Sequence, residues 1–547
     1  MTPLGELRAV VQDAAAALRG DGGAPGAELT LERPKKAEFG DYSTNAAMLL
    51  APTLGEPPRE IAERLGGELS ARLGERLERV EVAGPGFLNL FLADAWYRDA
   101  LARALAAGEG FGGGGAPAPE RVLIEFVSAN PTGPLTAAGG RHAAYGDALA
   151  RILTFAGHRV EREYYFNDAG SQVRKLGESI RARARAEPVP EGGYEGEYVA
   201  VLAAEIPGAA DADPDDLAKR GVELMLERIA ATLARFRVDF DTWFSERSLH
   251  EGEPNAIERA YEELERSGHL YHSEGATWLR SSSFGDDKDR VLRRSTGEHT
   301  YFAADIAYHE QKRARSFDRL INVLGADHHG YVERQKAGFE ALGGDPAALE
   351  VIIMQFVHVV EGGERASMSK RRGEFVTLDD LVEEIGVDAA RFFLLQRSHD
   401  TTVDLDLELA RRESNENPVY YVQYAHARIA SMLAKAGEER VQRALAELAG
   451  GVDGTVEPLH PSERALIKRL QAFPEEVDEA EQRRAPQRIA AYALELAQDF
   501  TAFYRDCRVV GAEPEPVESF RLALSIAAKR TIARALELLG VAAPDSM

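Results

Sequence analysis

A strand, a glycine-bearing loop and a helix follow one another within residues 121–156, and this succession constrains the fold more than any other feature of the chain. The apolar, β-branched run at 122–127 predicts a buried strand, and the turn-rich residues 130–134 predict a loop. A helix that begins after such a loop presents free backbone N–H groups and a positive dipole end, which suit a phosphate. Gly139 and Gly140 would let a ligand approach the backbone closely. We therefore expect a nucleotide-binding α/β unit.

Length and composition indicate a multidomain protein of a reducing compartment. A chain of 547 residues is too long for one core, so we expect three or four domains. The formal charge of −25 argues against a sequence-blind nucleic-acid coat protein, but not against a nucleic-acid partner bound by local basic patches. Cys507 is the only cysteine, and no apolar run approaches the roughly 18 residues that span a bilayer. We expect a cytoplasmic protein.

Shifts in composition and periodicity divide the chain into four regions. Residues 1–107 carry helical segments and then a strand-like stretch, which predicts an α+β domain, and the Gly/Pro-rich residues 108–119 predict a flexible linker. Strand-like and helical runs alternate over 120–404, which predicts a doubly wound parallel sheet with an insertion at about 172–295. Residues 405–547 show helical periodicity and little strand signal, so we predict an all-α helical bundle.

Four further motifs follow the first one. They are YYFNDAG at 164–170, YFAADIA at 301–307, VLGADHHG at 323–330 and the basic loop SMSKRRG at 367–373. In this order they resemble bacterial arginyl-tRNA synthetases, class I enzymes with a dinucleotide-fold catalytic domain. The resemblance covers essentially the whole chain, including FGDYSTNAAM near the start and SNENPVYYVQYAHARI before the helical region.

The resemblance implies a two-step reaction. L-arginine and ATP, the latter with Mg²⁺, form an arginyl-adenylate and pyrophosphate, and the arginyl group then passes to the terminal ribose of tRNA(Arg). The first step in this family generally requires bound tRNA. The N-terminal region resembles the family's tRNA-contacting additional domain, and the helical bundle resembles its anticodon-binding domain. The implied partners are tRNA(Arg), L-arginine and ATP, with no DNA, no membrane, no structural metal and a monomeric state.

The arginine site is expected around one carboxylate and one phenol. A guanidinium group is planar, always charged and carries forked donors, so its pocket needs a carboxylate that accepts in pairs. Asp305 matches the family's guanidinium-binding carboxylate, and Tyr301 lies one helical turn before it. A helix-surface acid is the alternative for Asp305, and a structural ion pair is the alternative for Glu125. The full predicted set is Glu125, Ser128, Asn130, Tyr301, Asp305 and His328.

The ATP site is expected at the first loop and helix start, together with the two later motifs. Lys370 matches the second lysine of the class I KMSK signature, whose first lysine is replaced by Ser367. Its ammonium group would stabilise charge that builds on the α-phosphate and the leaving pyrophosphate. The predicted set is Ala129, Asn130, Pro131, Thr132, Gly133, Pro134, Leu135, Thr136, Ala137, Ala138, Gly139, Asp327, His329, Met368, Ser369 and Lys370. A metal at the paired histidines is the alternative, but no cysteine or third spaced ligand accompanies them.

The class I signature at the helix start departs from the family. The family usually has His-x-Gly-His directly after NPTGPL, whereas this chain has Thr-Ala-Ala-Gly at 136–139. Losing one preorganised donor of this kind costs about 3–4 kcal/mol. We expect His142, one turn further along, to take over a phosphate contact with help from Arg141 and the Thr136 hydroxyl. The predicted catalytic set is Lys370, His142, Thr136 and Gly139.

Several alternatives stay open at this departure. Closure driven by tRNA, together with Lys370 and backbone amides, could suffice for catalysis, and His142 could be an ordinary helix histidine. The chain could also be a paralogue that binds tRNA or arginine but charges poorly. A small-molecule nucleotidyltransferase of the same fold is disfavoured, because a small substrate needs neither the N-terminal region nor the helical bundle.

The start of the helical bundle is the expected tRNA-binding surface. Aromatic side chains near cations suit unstacked bases and backbone phosphates. The candidates are Tyr420, Tyr424 and Arg428, with Tyr421 and His426 beside them. A stripe of core tyrosines is the alternative, because helical spacing is typical of a packed face.

Overall fold

The computed structural model describes residues 2–20, 29–34, 36–365, 376–450 and 458–547. The N-terminal domain is an α+β unit, as predicted. Its elements are α1 (Pro3–Arg19), β1 (Leu31–Glu32), β2 (Tyr42–Thr44), α2 (Ala46–Leu54), α3 (Pro58–Leu73), β3 (Leu77–Ala83), β4 (Phe87–Leu92) and α4 (Asp94–Ala106). The four strands form one antiparallel sheet in the order β1-β2-β4-β3, and β4 is buried over almost its whole length.

The middle of the chain alternates strands and helices. Its first half contains β5 (Arg121–Glu125), α5 (Ala137–Ala156), β6 (Arg159–Phe166), α6 (Ser171–Ala184), α7 (Glu197–Glu205), α8 (Pro214–Arg235) and β7 (Thr242–Ser245). The second half contains α9 (Ala256–Arg266), β8 (Leu270–Ser273), β9 (Ala276–Leu279), β10 (Arg290–Arg293), α10 (Tyr301–Ala314), β11 (Arg319–Gly325), α11 (Val332–Ala341), β12 (Leu349–Met354), β13 (Val357–Glu361), β14 (Glu364–Arg365), α12 (Leu378–Leu395) and β15 (Val403–Asp406).

A five-stranded parallel sheet is the framework of this region. Its order is β12-β11-β5-β6-β7, and each neighbouring pair is parallel. The chain runs from β5 outward to β7 and then returns to the other side of β5 with β11 and β12. Ligands of such sheets bind beyond the carboxyl ends of the strands where the order reverses, which here is between β5 and β11. The prediction of a doubly wound parallel sheet is confirmed.

The predicted insertion at 172–295 is not one uninterrupted excursion from the sheet. β7 lies inside that range and pairs in parallel with β6. The sequence Thr-Trp-Phe-Ser at 242–245 does not predict this strand, because it is short and has no apolar run, and the strand is only half-buried. Before β7, α6, α7 and α8 form a separate helical cluster, and after β7 the strands β8, β9 and β10 form a small antiparallel sheet.

The Gly/Pro-rich segment 108–119 is packed on the catalytic region, so the expectation of a flexible linker is wrong for this structure. The Gly114 N–H donates to the Phe155 carbonyl at 2.8 Å, and the Ala116 N–H donates to the Ala156 carbonyl at 2.9 Å. A Cβ added at Gly112 would lie 2.5 Å from the Phe473 ring. The glycines therefore permit close packing here, a function that their composition does not distinguish from flexibility.

The C-terminal region is all-helical, as predicted. Its helices are α13 (Leu407–Arg411), α14 (Pro418–Ala436), α15 (Glu438–Ala449), α16 (Pro461–Gln482), α17 (Gln487–Asp506) and α18 (Glu515–Leu538). Their buried side chains join those of the N-terminal domain and of the parallel sheet in one continuous hydrophobic core. Within the part of the chain that the structure describes, no helix is both long and apolar enough to cross a membrane.

Candidate active site

The loop before α5 and the start of α12 are held side by side at the reversal point of the sheet. The Ala137 N–H donates to the Val376 carbonyl at 3.0 Å, and the Leu378 N–H donates to the Leu135 carbonyl at 2.8 Å. Thr136 caps α5, because its hydroxyl accepts from the Gly139 N–H at 3.2 Å. The two helix N-termini thus lie side by side, and a helix N-terminus favours negative charge in front of it.

Gly139 and Gly140 differ in what surrounds them. A Cβ at Gly140 would lie 2.6 Å from Leu378 Cδ1, so Gly140 permits the close contact between α5 and α12. A Cβ at Gly139 would find its nearest neighbour, Leu135 Cδ2, at 3.5 Å, an ordinary contact distance. Of the two glycines, Gly140 is the one that this helix packing requires.

The exit of β5 turns sharply at two non-glycine residues in the left-handed region. Val127 has φ 68° and Ser128 has φ 43°. The Ser128 hydroxyl donates to Glu125 Oε1 at 2.9 Å and accepts from the Tyr165 N–H at 3.2 Å, which stabilises the turn. Such backbone conformations cost about 1–3 kcal/mol each and cluster at functional sites. The turn leads into the exposed Asn130, whose amide donates to Gln172 Oε1 at 2.9 Å.

Glu125 is held in a buried ion pair, as in the alternative that the sequence left open for this residue. Lys312 Nζ lies 2.5 Å from Glu125 Oε2 and 2.8 Å from Asn322 Oδ1, and the Lys312 side chain is fully buried. Ser128 occupies the other carboxylate oxygen. Lys312 was not among the residues predicted for the site, although it follows Asp305 by seven residues on the same helical face.

Asp305 and Tyr301 lie on one face of α10, four residues apart. Tyr301 is the first residue of the helix and is 73% exposed, whereas Asp305 is half-buried. The Tyr331 hydroxyl donates a hydrogen bond to Asp305 Oδ2. Among the described residues, Asp305 makes no ion pair, in contrast to Glu125. Tyr331 was not anticipated, although it follows the VLGADHHG motif directly.

The environment of Asp305 raises its pKa to about 7, with burial as the largest cause. The carboxylates of Glu246 and Glu125 act in the same direction. The Tyr331 hydrogen bond and the Lys312 ammonium oppose the shift. A partly buried carboxylate in this position gains most from a ligand that brings its own positive charge.

Glu246 is a second acidic group that sequence analysis did not single out. It is buried, it accepts a hydrogen bond from the Tyr165 hydroxyl at 2.6 Å, and burial raises its pKa. It lies within the segment WFSERSLHE at 243–251, and its distance in sequence from Asp305 does not indicate that the two residues are close. Only the pairing of β7 with β6 brings this segment to the site.

A buried, neutral histidine of α10 links this helix to β11. His309 is buried, and burial with the nearby Lys312 ammonium lowers its pKa to about 3. Its Nδ1 therefore donates to the Asp305 carbonyl at 2.7 Å, while Nε2 accepts from the Asn322 amide at 3.0 Å. This chain of hydrogen bonds fixes the orientation of α10 and hence of Asp305.

A cleft of about 560 Å³ is lined by Tyr301 and Ala304 of α10 and by Glu246, and Asp305 lies next to Ala304 without lining the cleft itself. Its polar lining side chains are Asn130, Asn167, Ser171, Gln172, Glu246, Arg247, His250, Arg294, Glu298, His299, Thr300 and Tyr301. That volume is within the range of small-molecule sites, about 300–1,000 Å³. Asn130 and Tyr301, both predicted for the arginine site, line the same cleft.

His142, predicted to take over a phosphate contact, lies in surroundings that favour its neutral form, so such a contact would be a hydrogen bond and not an ion pair. Its Nδ1 is buried without a hydrogen-bond partner among the described residues. Burial lowers the pKa of His142 to about 4, and the Arg141 charge acts in the same direction, so the imidazole is neutral. Arg141 is not available, because it donates to the carbonyls of Gln355, Phe356, Ser398 and Thr401.

The predicted residues of the two later motifs, at 327–329 and 367–370, fall into two groups. Asp327 and His328 are exposed beyond the end of β11, with His328 Nε2 at 3.5 Å from Asp327 Oδ2. Met368, Ser369 and Lys370, with Ser367 before them, lie outside the described residues, and so does the side chain of His329.

A stripe on α14 places aromatic rings beside a cation. The Tyr420 and Tyr424 rings stack with centroids 6.2 Å apart, and the Arg428 guanidinium lies 4.6 Å from the Tyr504 ring centroid. Two neighbouring candidates face inward instead. His426 is buried with Nδ1 2.8 Å from the Pro544 carbonyl, and the half-buried Tyr421 donates to Thr501 at 3.1 Å. Helical spacing alone could not separate these two groups.

Three family models match the chain. They are the arginyl tRNA synthetase N terminal domain over residues 5–92, the class I (R) tRNA synthetase catalytic domain over 213–430 and the DALR anticodon binding domain over 422–547. The catalytic match begins beyond the altered signature at 136–139.

Full-length relatives agree with these matches. A protein of Kineococcus radiotolerans named arginine–tRNA ligase is 45% identical over 100% of both chains, and one of Frankia alni with the same name is 46% identical over 95% of both. The solved arginyl-tRNA synthetase of Thermus thermophilus is 25% identical, covers 99% of this chain and all of its own, and has a TM-score of 0.76. The chain belongs to the arginyl-tRNA synthetase family of class I aminoacyl-tRNA synthetases.

Proposed function

We propose that this chain is an arginine–tRNA ligase in which Asp305 recognises the guanidinium group of L-arginine. The observation that carries the proposal is a half-buried carboxylate with a raised pKa and no ion pair among the described residues. A guanidinium group supplies the missing charge and two parallel donors. The name shared by the relatives supports this function and gives no support to a non-charging paralogue.

The exposed Tyr301 forms the outer wall of the proposed guanidinium site. Its position at the start of α10 leaves the ring free to cover the planar group, and Glu246 lines the same cleft and adds negative charge. Asn130, Ser128 and His328 are then left for the α-amino and carboxylate end. The negative charge of Glu125 is already paired with Lys312. Glu125 therefore contributes to that end by positioning Ser128 and the exposed turn.

ATP binds in this proposal with its phosphates before the N-terminus of α5. The loop 129–139 borders the phosphates, and Asp327 and His329 border the adenosine. The arginine carboxylate oxygen attacks the α-phosphorus, the bond from that phosphorus to the bridging oxygen breaks, and pyrophosphate leaves. Charge develops on the pyrophosphate during this step, and the N-terminus of α5 and Lys370 stabilise it. Mg²⁺ accompanies ATP as part of the substrate.

The second step transfers the arginyl group to tRNA(Arg). A hydroxyl of the terminal ribose attacks the carbonyl carbon of the adenylate, and AMP leaves. Tyr420, Tyr424 and Arg428 are proposed to contact unstacked bases of the tRNA, since rings and a cation lie together on an exposed face. We expect the protein to act as a monomer in the cytoplasm.

The proposed function is tested by ATP–pyrophosphate exchange with purified protein, L-arginine and tRNA(Arg). Exchange that depends on both arginine and tRNA is the expected result. Binding of arginine and tRNA without exchange or charging would instead identify a non-catalytic binding protein.

A further inference from the structure

We propose a second, phosphate-binding site at the far end of α5, in a cleft of about 570 Å³. Its walls come from the segment 108–119, the last turns of α5, β6 and the end of α18, and its cationic lining residues are Arg151, Arg162 and Arg534. α5 rises about 1.5 Å per residue, so Phe155 in this cleft lies roughly 28 Å along the helix from Thr136. The cleft is therefore separate from the proposed active site.

Three guanidinium groups share one buried carboxylate beneath the cleft. Asp147 Oδ2 lies 2.7 Å from Arg151 Nε and 2.5 Å from a terminal nitrogen of Arg391, and Asp147 Oδ1 lies 3.6 Å from a terminal nitrogen of Arg162. The Asp147 side chain is only 2% exposed. One negative charge thus serves three positive charges, and among the residues that line the cleft three arginines stand against one acid, Glu537, in a protein whose formal net charge is −25.

Arg162 is the least satisfied member of this group. Its side chain is 24% exposed, and its Nε is buried without a hydrogen-bond partner. Within the described ranges its guanidinium makes no hydrogen bond, and the ion pair to Asp147 is long. Unpaired donors on a mostly buried guanidinium are costly, and an anion that accepts two of them removes that cost.

The remaining walls suit a phosphate compound with an apolar part. The Arg534 guanidinium lies 5.1 Å from the Phe155 ring centroid and forms one wall of the cleft. It is paired with Glu109 and Glu537, so these two carboxylates neutralise Arg534 and not Arg162. The carbonyls of Phe155 and Ala156 accept from the Gly114 and Ala116 N–H groups, which offsets part of the negative partial charge at the C-terminal end of α5. The volume fits a phosphate monoester or diphosphate of small-molecule size.

The test is calorimetric titration of the full chain with inorganic pyrophosphate, without ATP or Mg²⁺. We expect two classes of sites in the unaltered protein, one in each cleft. Arg162→Gln should weaken one class at least tenfold and leave the other unchanged. Arg159→Gln, on the same strand and exposed, is the matched control and should keep both. An Arg162→Gln isotherm equal to that of the control would overturn the proposal.

Two further arms make the test independent of variant folding and identify the source of the phosphate. In the unaltered protein, pyrophosphate should slow hydrogen exchange of amides 110–116, and unchanged exchange there would contradict the site. Repeating the titration with saturating tRNA(Arg) separates two sources. Persistence of the Arg162-dependent class assigns the site to a free phosphate compound, and its disappearance assigns it to a backbone phosphate of tRNA.

Discussion

Lys312, on the same helix as Asp305, places its Nζ 2.5 Å from Glu125 Oε2, and the two side chains are buried together. This pair connects α10 to the end of β5, where the exposed turn at Ser128 begins. Breaking a buried pair by removing one partner leaves an uncompensated charge and costs about 3–5 kcal/mol. The pair is therefore a structural support for both ends of the proposed arginine site.

Lys312→Met should lower the free energy of unfolding by about 3–5 kcal/mol, because the Glu125 carboxylate is left buried without its cation. The double variant Lys312→Met/Glu125→Gln should recover at least half of that loss, since the second substitution removes the orphaned charge. Urea denaturation followed by circular dichroism measures both. A single variant as stable as the unaltered protein would show that the pair does not support the fold.

Arginine affinity should rise with pH until Asp305 is ionised. With a pKa of about 7, Asp305 is mostly protonated at pH 6 and mostly ionised at pH 8. The dissociation constant for L-arginine should therefore be about tenfold higher at pH 6 than at pH 8. Calorimetric titration at several pH values measures this, and Asp305→Asn should abolish the dependence. A flat profile in the unaltered protein would exclude Asp305 as the titrating ligand group.

The same group should make the ligand-free protein less stable as pH rises. A carboxyl whose pKa is higher in the folded state than in the unfolded chain binds its proton more tightly when folded, so the contribution falls between about pH 4 and pH 7. Asp305→Asn removes this contribution. The difference in free energy of unfolding between Asp305→Asn and the unaltered protein should thus grow in favour of the variant across that interval.

Gly140→Ala should destabilise the protein by about 1–3 kcal/mol, because the added Cβ would lie 2.6 Å from the buried Leu378 side chain. Gly139→Ala is the matched control, since its nearest neighbour would be at 3.5 Å. In the control, the helix preference for alanine over glycine should leave stability unchanged or slightly raised. Thermal unfolding distinguishes the two, and equal melting temperatures would refute the packing role of Gly140.

His142→Ala should reduce ATP–pyrophosphate exchange less than threefold, because a neutral, buried imidazole adds little to charge stabilisation at the phosphates. Lys370→Ala should reduce exchange at least a hundredfold, the size of effect expected from loss of a donor that acts on the transition state. Both variants are assayed with the same tRNA(Arg). A loss with His142→Ala as large as that with Lys370→Ala would restore the earlier hypothesis that His142 replaces the signature.

The order of the motifs sufficed for the fold class and the three main structural regions, because strand–helix alternation determines a doubly wound sheet. It did not suffice for contacts between distant segments. Lys312, Tyr331 and Glu246 reach the site only through tertiary packing, and no local period marks them. Glycine was the most ambiguous residue, since the segment 108–119 has the composition of a flexible linker but lies packed against the Phe155 carbonyl.

The most direct test of the account is charging of tRNA(Arg) with radiolabelled L-arginine by the purified chain. The unaltered protein should form arginyl-tRNA, Asp305→Asn should lower kcat/KM for arginine at least a hundredfold, and Glu310→Gln on the same helix should stay within twofold. No charging by the unaltered protein, or an Asp305→Asn variant that charges as well as the Glu310→Gln control, would contradict it.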